Sequence, residues 1–169
     1  MSEILPDTVN LLSPLNFIFT IKKTPNVNYH CQSVNVPGIS MGNADQPNPY
    51  VNVPVPGDHI QFGDLNIEFK IDENMANYLE IFDWIKGIGF PDTNQQYVDL
   101  IARYRGEGVL SDATCLILNS AKNPNVRIDY IDIFPVSLSD IYLDTRETDV
   151  NVAVASATFK ISSFNITKL

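Results

Sequence analysis

The chain has 169 residues, 44% of them hydrophobic and 18% charged, which is enough for one domain with a substantial core and excludes a disordered chain. Its net charge of -9 and pI near 4.5 argue against general nucleic-acid affinity, because phosphate binding needs Lys and Arg in excess. No apolar run approaches the ~20 residues of a membrane-spanning helix, so stable membrane insertion is not expected.

Met1 to Pro14 carries an early acidic residue and no basic stretch, so it does not read as a secretory signal. With Pro6, Asp7, Ser13 and Pro14 it reads as an arm, residues 1–14, ahead of a single domain over 15–169. Leu15 to Lys23 alternates, with Phe17, Phe19 and Ile21 facing one way and Asn16, Thr20 and Lys22 the other, which predicts a half-buried strand. Thr24-Pro25-Asn26 predicts a turn, and Val27 to Val34 a returning strand closed by a tight turn at Pro37-Gly38.

Ser40 to Tyr50 has little to bury and predicts an exposed loop or the tip of an extended hairpin. Val51 to Val55 predicts a short strand that Pro54 confines to an edge or a bulge. Pro56-Gly57-Asp58 predicts a turn with positive φ at Gly57. The cleanest strand follows, Leu65, Ile67, Phe69 and Ile71 alternating with Asn66, Glu68 and Lys70.

Asp72 is then expected to cap a helix, with Glu73 complementing its dipole. The helix runs from Tyr78 to Ile88, its stripe made of Tyr78, Ile81, Phe82, Ile85 and Ile88 and flanked by Leu79 and Trp84. Glu80, Asp83 and Lys86 take the far side, and Gly87, Gly89 and Pro91 form the stop. Asp92-Thr93-Asn94-Gln95 resembles a capping box, and Tyr97 to Tyr104 predicts a second helix ending near Gly106. Ala113 to Asn119 predicts a buried strand, Lys122-Asn123-Pro124-Asn125 a turn, and Val126 to Phe134 the hairpin partner, broken by Pro135. Val136 to Leu143 reads as a short strand or turn, Thr145 to Asp149 as a charged loop, and Asn151 to Ile166 as a long last strand. The apolar parity of that strand slips between Phe159 and Phe164, which predicts a bulge near Ser162-Ser163.

The candidate chemistry is thin. Asp58 and His59 are adjacent, so their side chains diverge on an extended chain. His30 and Cys31 lie in no nucleophile motif. Cys31, Cys115 and the two histidines lack zinc-finger spacing. Asp72-Glu73-Asn74 lacks the further oxygens and glycine of a calcium loop, and Gly106-Glu107-Gly108 lacks the strand and lysine of a phosphate loop. Asn165-Ile166-Thr167 matches a glycosylation sequon with no secretion signal to support it. Cys31 and Cys115 read as buried thiols of a reducing compartment, with a disulfide between them as the alternative. No catalytic, cofactor-binding or metal-binding residue is therefore assigned, and no cofactor is expected.

The ordered set of features resembles the tail-tube proteins of contractile-tailed bacteriophages, whose relatives include baseplate tube initiators and the inner-tube protein of type VI secretion systems. The resemblance is carried by Asn16-Phe17, Val36-Pro37-Gly38-Ile39, Pro56-Gly57-Asp58, Phe62-Gly63-Asp64-Leu65 and Phe82-Asp83-Trp84-Ile85. Phe134-Pro135-Val136-Ser137-Leu138 and Ala157-Thr158-Phe159 continue it, over about residues 15 to 166. It implies a mainly β fold, a β-sandwich or partial barrel with one flanking α-helix, whose sheets join into a continuous barrel in a hexameric ring. It implies a structural, non-enzymatic subunit of the virion tail, made in the host cytoplasm, whose stacked rings conduct the genome. The implied partners are further copies, the sheath, baseplate and tail-terminator proteins, and passing DNA held without specific binding. An acidic lumen would repel that DNA near the wall. Glu68 and Asp129 face either lumen or sheath. The edge strand Val51 to Val55 pairs across the ring in this reading, and the loop Ser40 to Tyr50 and the arm make ring-to-ring contacts. The alternatives are a tube initiator or tube-end protein, an effector-carrying secretion ring, and a hydrolase or ligand-binding module of β-sandwich fold.

Overall fold

The computed structural model describes residues 10–89, 93–103, 108–146 and 152–169. The strands are β1 (Phe17–Ile21), β2 (Cys31–Val34), β3 (Ile39–Gln46), β4 (Val53–Phe62), β5 (Leu65–Lys70), β6 (Ser111–Leu118), β7 (Pro124–Leu138), β8 (Val154–Lys160) and β9 (Ser163–Lys168). The helices are α1 (Pro25–His30), α2 (Ala76–Gly89) and α3 (Gln95–Arg103).

β7 organises the fold. Its first part, through Ile133, pairs antiparallel with β6, and Val126 to Ile131 also pair with β9 on the other side. Its last part, Phe134 to Leu138, pairs with β8. One layer is thus β1-β6-β7-β9 and the other β2-β5-β8-β7, joined through the shared strand, and among the described residues no closed barrel forms. Asp132, at φ 54, marks the bend. Pro135 does not break the strand as expected, because it sits where the register shifts and its nitrogen owes no ladder bond.

The alternation of β5 is complete: Leu65, Ile67 and Phe69 are buried and Asn66, Glu68 and Lys70 exposed. β8 opposes it in register, Ile67 against Ala157 and Phe69 against Ala155. The other layer supplies Phe19 and Ile21 of β1, Cys115 of β6 and Tyr130 of β7 to the same core. Tyr130 meets Phe19 edge-on at 6.4 Å between centroids and Phe164 at 6.0 Å. Fully burying each large side chain is worth about 1.5–3 kcal/mol, so this aromatic seam is a principal source of stability.

Several expectations are corrected. Val27 to His30 do not form a strand; they are the turns of α1, started by Pro25 in its first turn, and only Cys31 to Val34 pair as a strand. Glu80 of α2 accepts hydrogen bonds there from the Asn26 backbone N–H (3.2 Å) and from Asn26 Nδ2 (2.8 Å), so Glu80 faces α1 rather than the far side. Asp72 does not cap α2, which begins at Ala76. The buried Asn77 makes the junction instead, its Nδ2 donating to the Lys70 carbonyl at 2.7 Å. The buried face of α2 is Asn77, Ile81, Trp84 and Gly87, rotated from the expected stripe, and it leaves Phe82 45% exposed. Trp84 lies at the centre of that face because α1 and α3 both pack on the helix. Gly87 lies inside the helix, where a Cβ would come within 2.9 Å of the Leu100 Cβ on α3. Pro91, Asp92, Tyr104 and Gly106 lie outside the described residues, as does most of the charged loop beyond Arg146.

The last strand is two strands. The parity slip at Ile161 to Ser163 is the crossing from β8 in one layer to β9 in the other, not a bulge within one ladder.

Candidate assembly surfaces

None of the polar groups singled out in the sequence converge. Asp58 and His59 lie on exposed β4, and His30 ends α1 with its ring edge-on to Tyr29 at 5.0 Å. Among the described residues no three His, Cys, Asp or Glu side chains are placed to hold a metal ion. Cys31 and Cys115 are both free thiols, and burial pushes each up to about 11, leaving them protonated and unreactive at neutral pH. Burial likewise raises the Tyr130 hydroxyl above its ordinary range. Burial also raises the Glu80 carboxyl, against the lowering effect of its Asn26 hydrogen bonds.

What the surface does offer is unpaired backbone and exposed apolar side chains. β3 and β4 form a separate two-stranded hairpin, with every residue of β3 exposed. A hairpin is present, but Ser40 to Gln46, expected in a loop or hairpin tip, belong to its strand β3, and Pro56-Gly57-Asp58 is no turn; all three lie inside β4. Gly57 has no positive φ. It is small because a Cβ there would come within 2.5 Å of the Gly42 carbonyl oxygen, beside the register shift between Met41 and Asn43. Ile39, Met41, Val53, Val55 and Ile60 are each more than a third exposed on this hairpin, and two strands alone are marginal in water. Among the described residues β1, β2 and β9 pair on one side only, as does β7 from Phe134 to Leu138, which leaves four open ladders on the body.

Two apolar grooves flank these edges. One, about 330 Å³, opens between β1 and β2 and is lined by Leu12, Phe17, Val34, Val36 and Ile117. The other, about 630 Å³, runs between α2 and the end of β7, with Phe82, Ile85, Val136 and Leu138 in its walls. The sequence gives no sign of the second groove, since its helical half reads as part of a core stripe.

The outward faces of the two layers have their own composition. On the β1-β6-β7-β9 layer, successive cross-strand rows are Ile18-Leu116-Arg127-Thr167 and Thr20-Thr114-Asp129-Asn165. Arg127 Nε lies 2.8 Å from Asp129 Oδ1, which also accepts from Thr114 Oγ1 at 2.9 Å. Lys22 Nζ lies 2.6 Å from Asp112 Oδ2, and that hydrogen bond holds the Asp112 carboxyl below its usual range. On the other layer Asn66 and Glu68 stand opposite Thr158 and Ser156, and Lys160 Nζ meets Asp64 Oδ1 at 2.6 Å. Glu68 and Asp129 therefore lie on the outward faces of different layers.

Comparison with solved structures returns the same architecture. The chain is similar to a chain of the sheath–tube complex of the PVC extracellular contractile injection system in its extended state, with TM-score 0.65, 17% identity and coverage of 94% of this chain and 93% of that one. It is similar to the sheath/tube terminator of the same system, with TM-score 0.65, 19% identity and coverage of 95% and 99%. It is also similar to the tube-terminating cap of the anti-feeding prophage, with TM-score 0.64, 16% identity and coverage of 100% of both chains. At these identities the likeness is one of fold. A comparison with curated protein sequences gives no match. Residues 7–167 match the family model described as phage tail tube protein, and the chain belongs to that structural, non-enzymatic family.

Proposed function

We propose that the chain is the repeating subunit of a contractile phage tail tube, forming hexameric rings that stack around a channel for genome delivery. The observation that carries the reading is the combination, among the described residues, of four open strand edges on the body with a hairpin exposed along the whole of β3. Open edges are a hazard in a monomer, and lateral pairing between copies removes it. In this reading the body edges close the ring, while the β3–β4 hairpin and the arm over residues 1–14 contact the next ring. The sheath, baseplate and terminator proteins are the partners of such a tube, and the virion tail is its place.

The second reading is a tube initiator or tube-end protein, or an inner-tube ring of a secretion system. It is supported by the near-equal likeness to a tube-terminating cap and to a chain of a sheath–tube complex.

Electron microscopy of the purified protein at raised concentration tests both. Long hollow tubes with six-fold symmetry support the first reading, and isolated rings support the second. A monomer that stays dispersed at every concentration overturns both.

A further inference from the structure

The net charge of -9 is not spread over the layers. The outward face of the β1-β6-β7-β9 layer, counted with its margin, holds Lys22 and Arg127 against Asp112, Asp129 and Asp132; each cation is in an ion pair with Asp112 or Asp129, and Asp132, beside Lys22 and Asp112, leaves one carboxylate in excess. The face of the other layer holds Lys70 and Lys160 against Asp64 and Glu68. Lys160 is paired to Asp64, and Glu68 and Lys70 stand two residues apart on the same side of β5. The remaining positions are mostly Thr, Ser and Asn with a few aliphatics. Most of the acidic excess sits elsewhere, at Glu80 and Asp83 on α2, Asp45 and Asp58 on the hairpin, and Asp140 after β7.

We infer that the channel of a tube built from this chain has a wall close to charge balance, lined by hydroxyl and amide groups and carrying at most one carboxylate in excess per subunit, at the Asp132 margin, whichever layer faces it, so that passage selects cargo only weakly by charge. The inference rests on the tube reading and replaces the expectation of an acidic lumen. Paired charges a few ångströms apart cancel beyond about one Debye length, roughly 8–10 Å at physiological salt, so the paired part of the wall neither repels a polyanion nor holds a polycation, and the single excess carboxylate of one face acts only near its margin. Hydroxyls and amides meet water as readily as they meet cargo, and leave no strong contact to arrest it. A polypeptide of either sign of charge is then as compatible a cargo as DNA.

Single cysteines read the potential directly. In a Cys31→Ala/Cys115→Ala background, Thr20→Cys reports on one layer and Ser156→Cys on the other. Both are exposed positions on the outward faces. Assembled tubes are reacted at low and high salt with a cationic and an anionic methanethiosulfonate, and the rate ratio is normalised to a free thiol. A potential of one kT changes that ratio about sevenfold between reagents of opposite unit charge. At both positions the expected ratio is within about threefold of unity at low salt and insensitive to salt. Leu79→Cys, beside Glu80 and Asp83, is expected to favour the cationic reagent in the same experiment. A ratio above about threefold in favour of the cation at the position inside the bore, shrinking as salt rises, overturns the inference. Micrographs of the same samples report on the tube separately. If no tubes form, the tube reading fails while the two ratios still measure the balance of each face. If Thr20→Cys does not fold, Thr167→Cys samples the neighbouring row of the same face.

Discussion

The indole Nε1 of Trp84 donates to the backbone carbonyl of Val109 at 2.8 Å, tying the centre of α2 to the segment that leads into β6. Trp84 is fully buried, packs on Phe159 at 6.0 Å between centroids, and carries the Lys23 ammonium 5.4 Å from its ring centroid. Lys23 is itself buried and donates to the Gly108 carbonyl. One side chain thus fixes a helix, a loop and a buried cation. Trp84→Phe keeps most of the volume but strands the Val109 carbonyl, and is expected to cost about 1–3 kcal/mol. Trp84→Ala is expected to cost about 3–5 kcal/mol. Urea unfolding of both variants checks the order and the size.

Gly87 is the contact point between α2 and α3. Gly87→Ala is expected to destabilise by about 1–3 kcal/mol, because its new methyl must displace Leu100. Leu100→Ala removes the branch carbons that lie at 3.0 and 3.2 Å from that methyl, so the double variant should lose less than the sum of the singles. A double-mutant cycle in urea measures the coupling, and strict additivity would detach α3 from this account.

Gly57→Val separates the hairpin from the body. The valine side chain cannot stand against the Gly42 carbonyl, so the β3–β4 ladder should open at its bulge. The core lies elsewhere, and its unfolding free energy should stay within about 0.5 kcal/mol of wild type, as for surface changes in general. Tube yield, read by sedimentation and microscopy, should collapse. Normal tubes from this variant would remove the hairpin from the assembly.

Alkaline pH should weaken the fold through its thiols. Cys31 and Cys115 are raised from the ordinary 9.0 to about 11, so between those values the folded chain keeps protons that the unfolded chain has lost. Stability is then fully present below pH 9 and falls as pH rises toward 11. Thermal midpoints across this range should drop, and Cys31→Ala/Cys115→Ala should flatten the drop. In the folded protein at pH 8, iodoacetamide should label both thiols far more slowly than in urea.

How much of this was legible depends on what each segment packs against. Leu65 to Lys70 reads correctly because β2 and β8 flank it and one face alone is buried, so period two survives in the sequence. Val27 to His30 misleads because four residues show no usable period; Thr24-Pro25 was the available signal, as a helix start with proline in the first turn. The sequence puts Trp84 at the margin of a stripe suited to one packing partner, whereas α2 has α1, α3 and β7 around it. The parity slip after Phe159 is equally consistent with a bulge and with a change of layer, and only the pairing of β9 with β7 decides. The outer groove and the balance of charge on the two faces were not legible, since both depend on which strands become neighbours.

β7 gives the domain a mechanical character. One continuous strand is laddered into both layers, and the chain crosses directly between them again from β8 to β9, in addition to the connections through α1 and through α2 and α3. Shear that would slide one layer over the other is carried by covalent bonds rather than by the grip of side chains. A load that separates the layers has to strain ladders on both sides of β7, the behaviour that the tube reading asks of a wall pushed from one end.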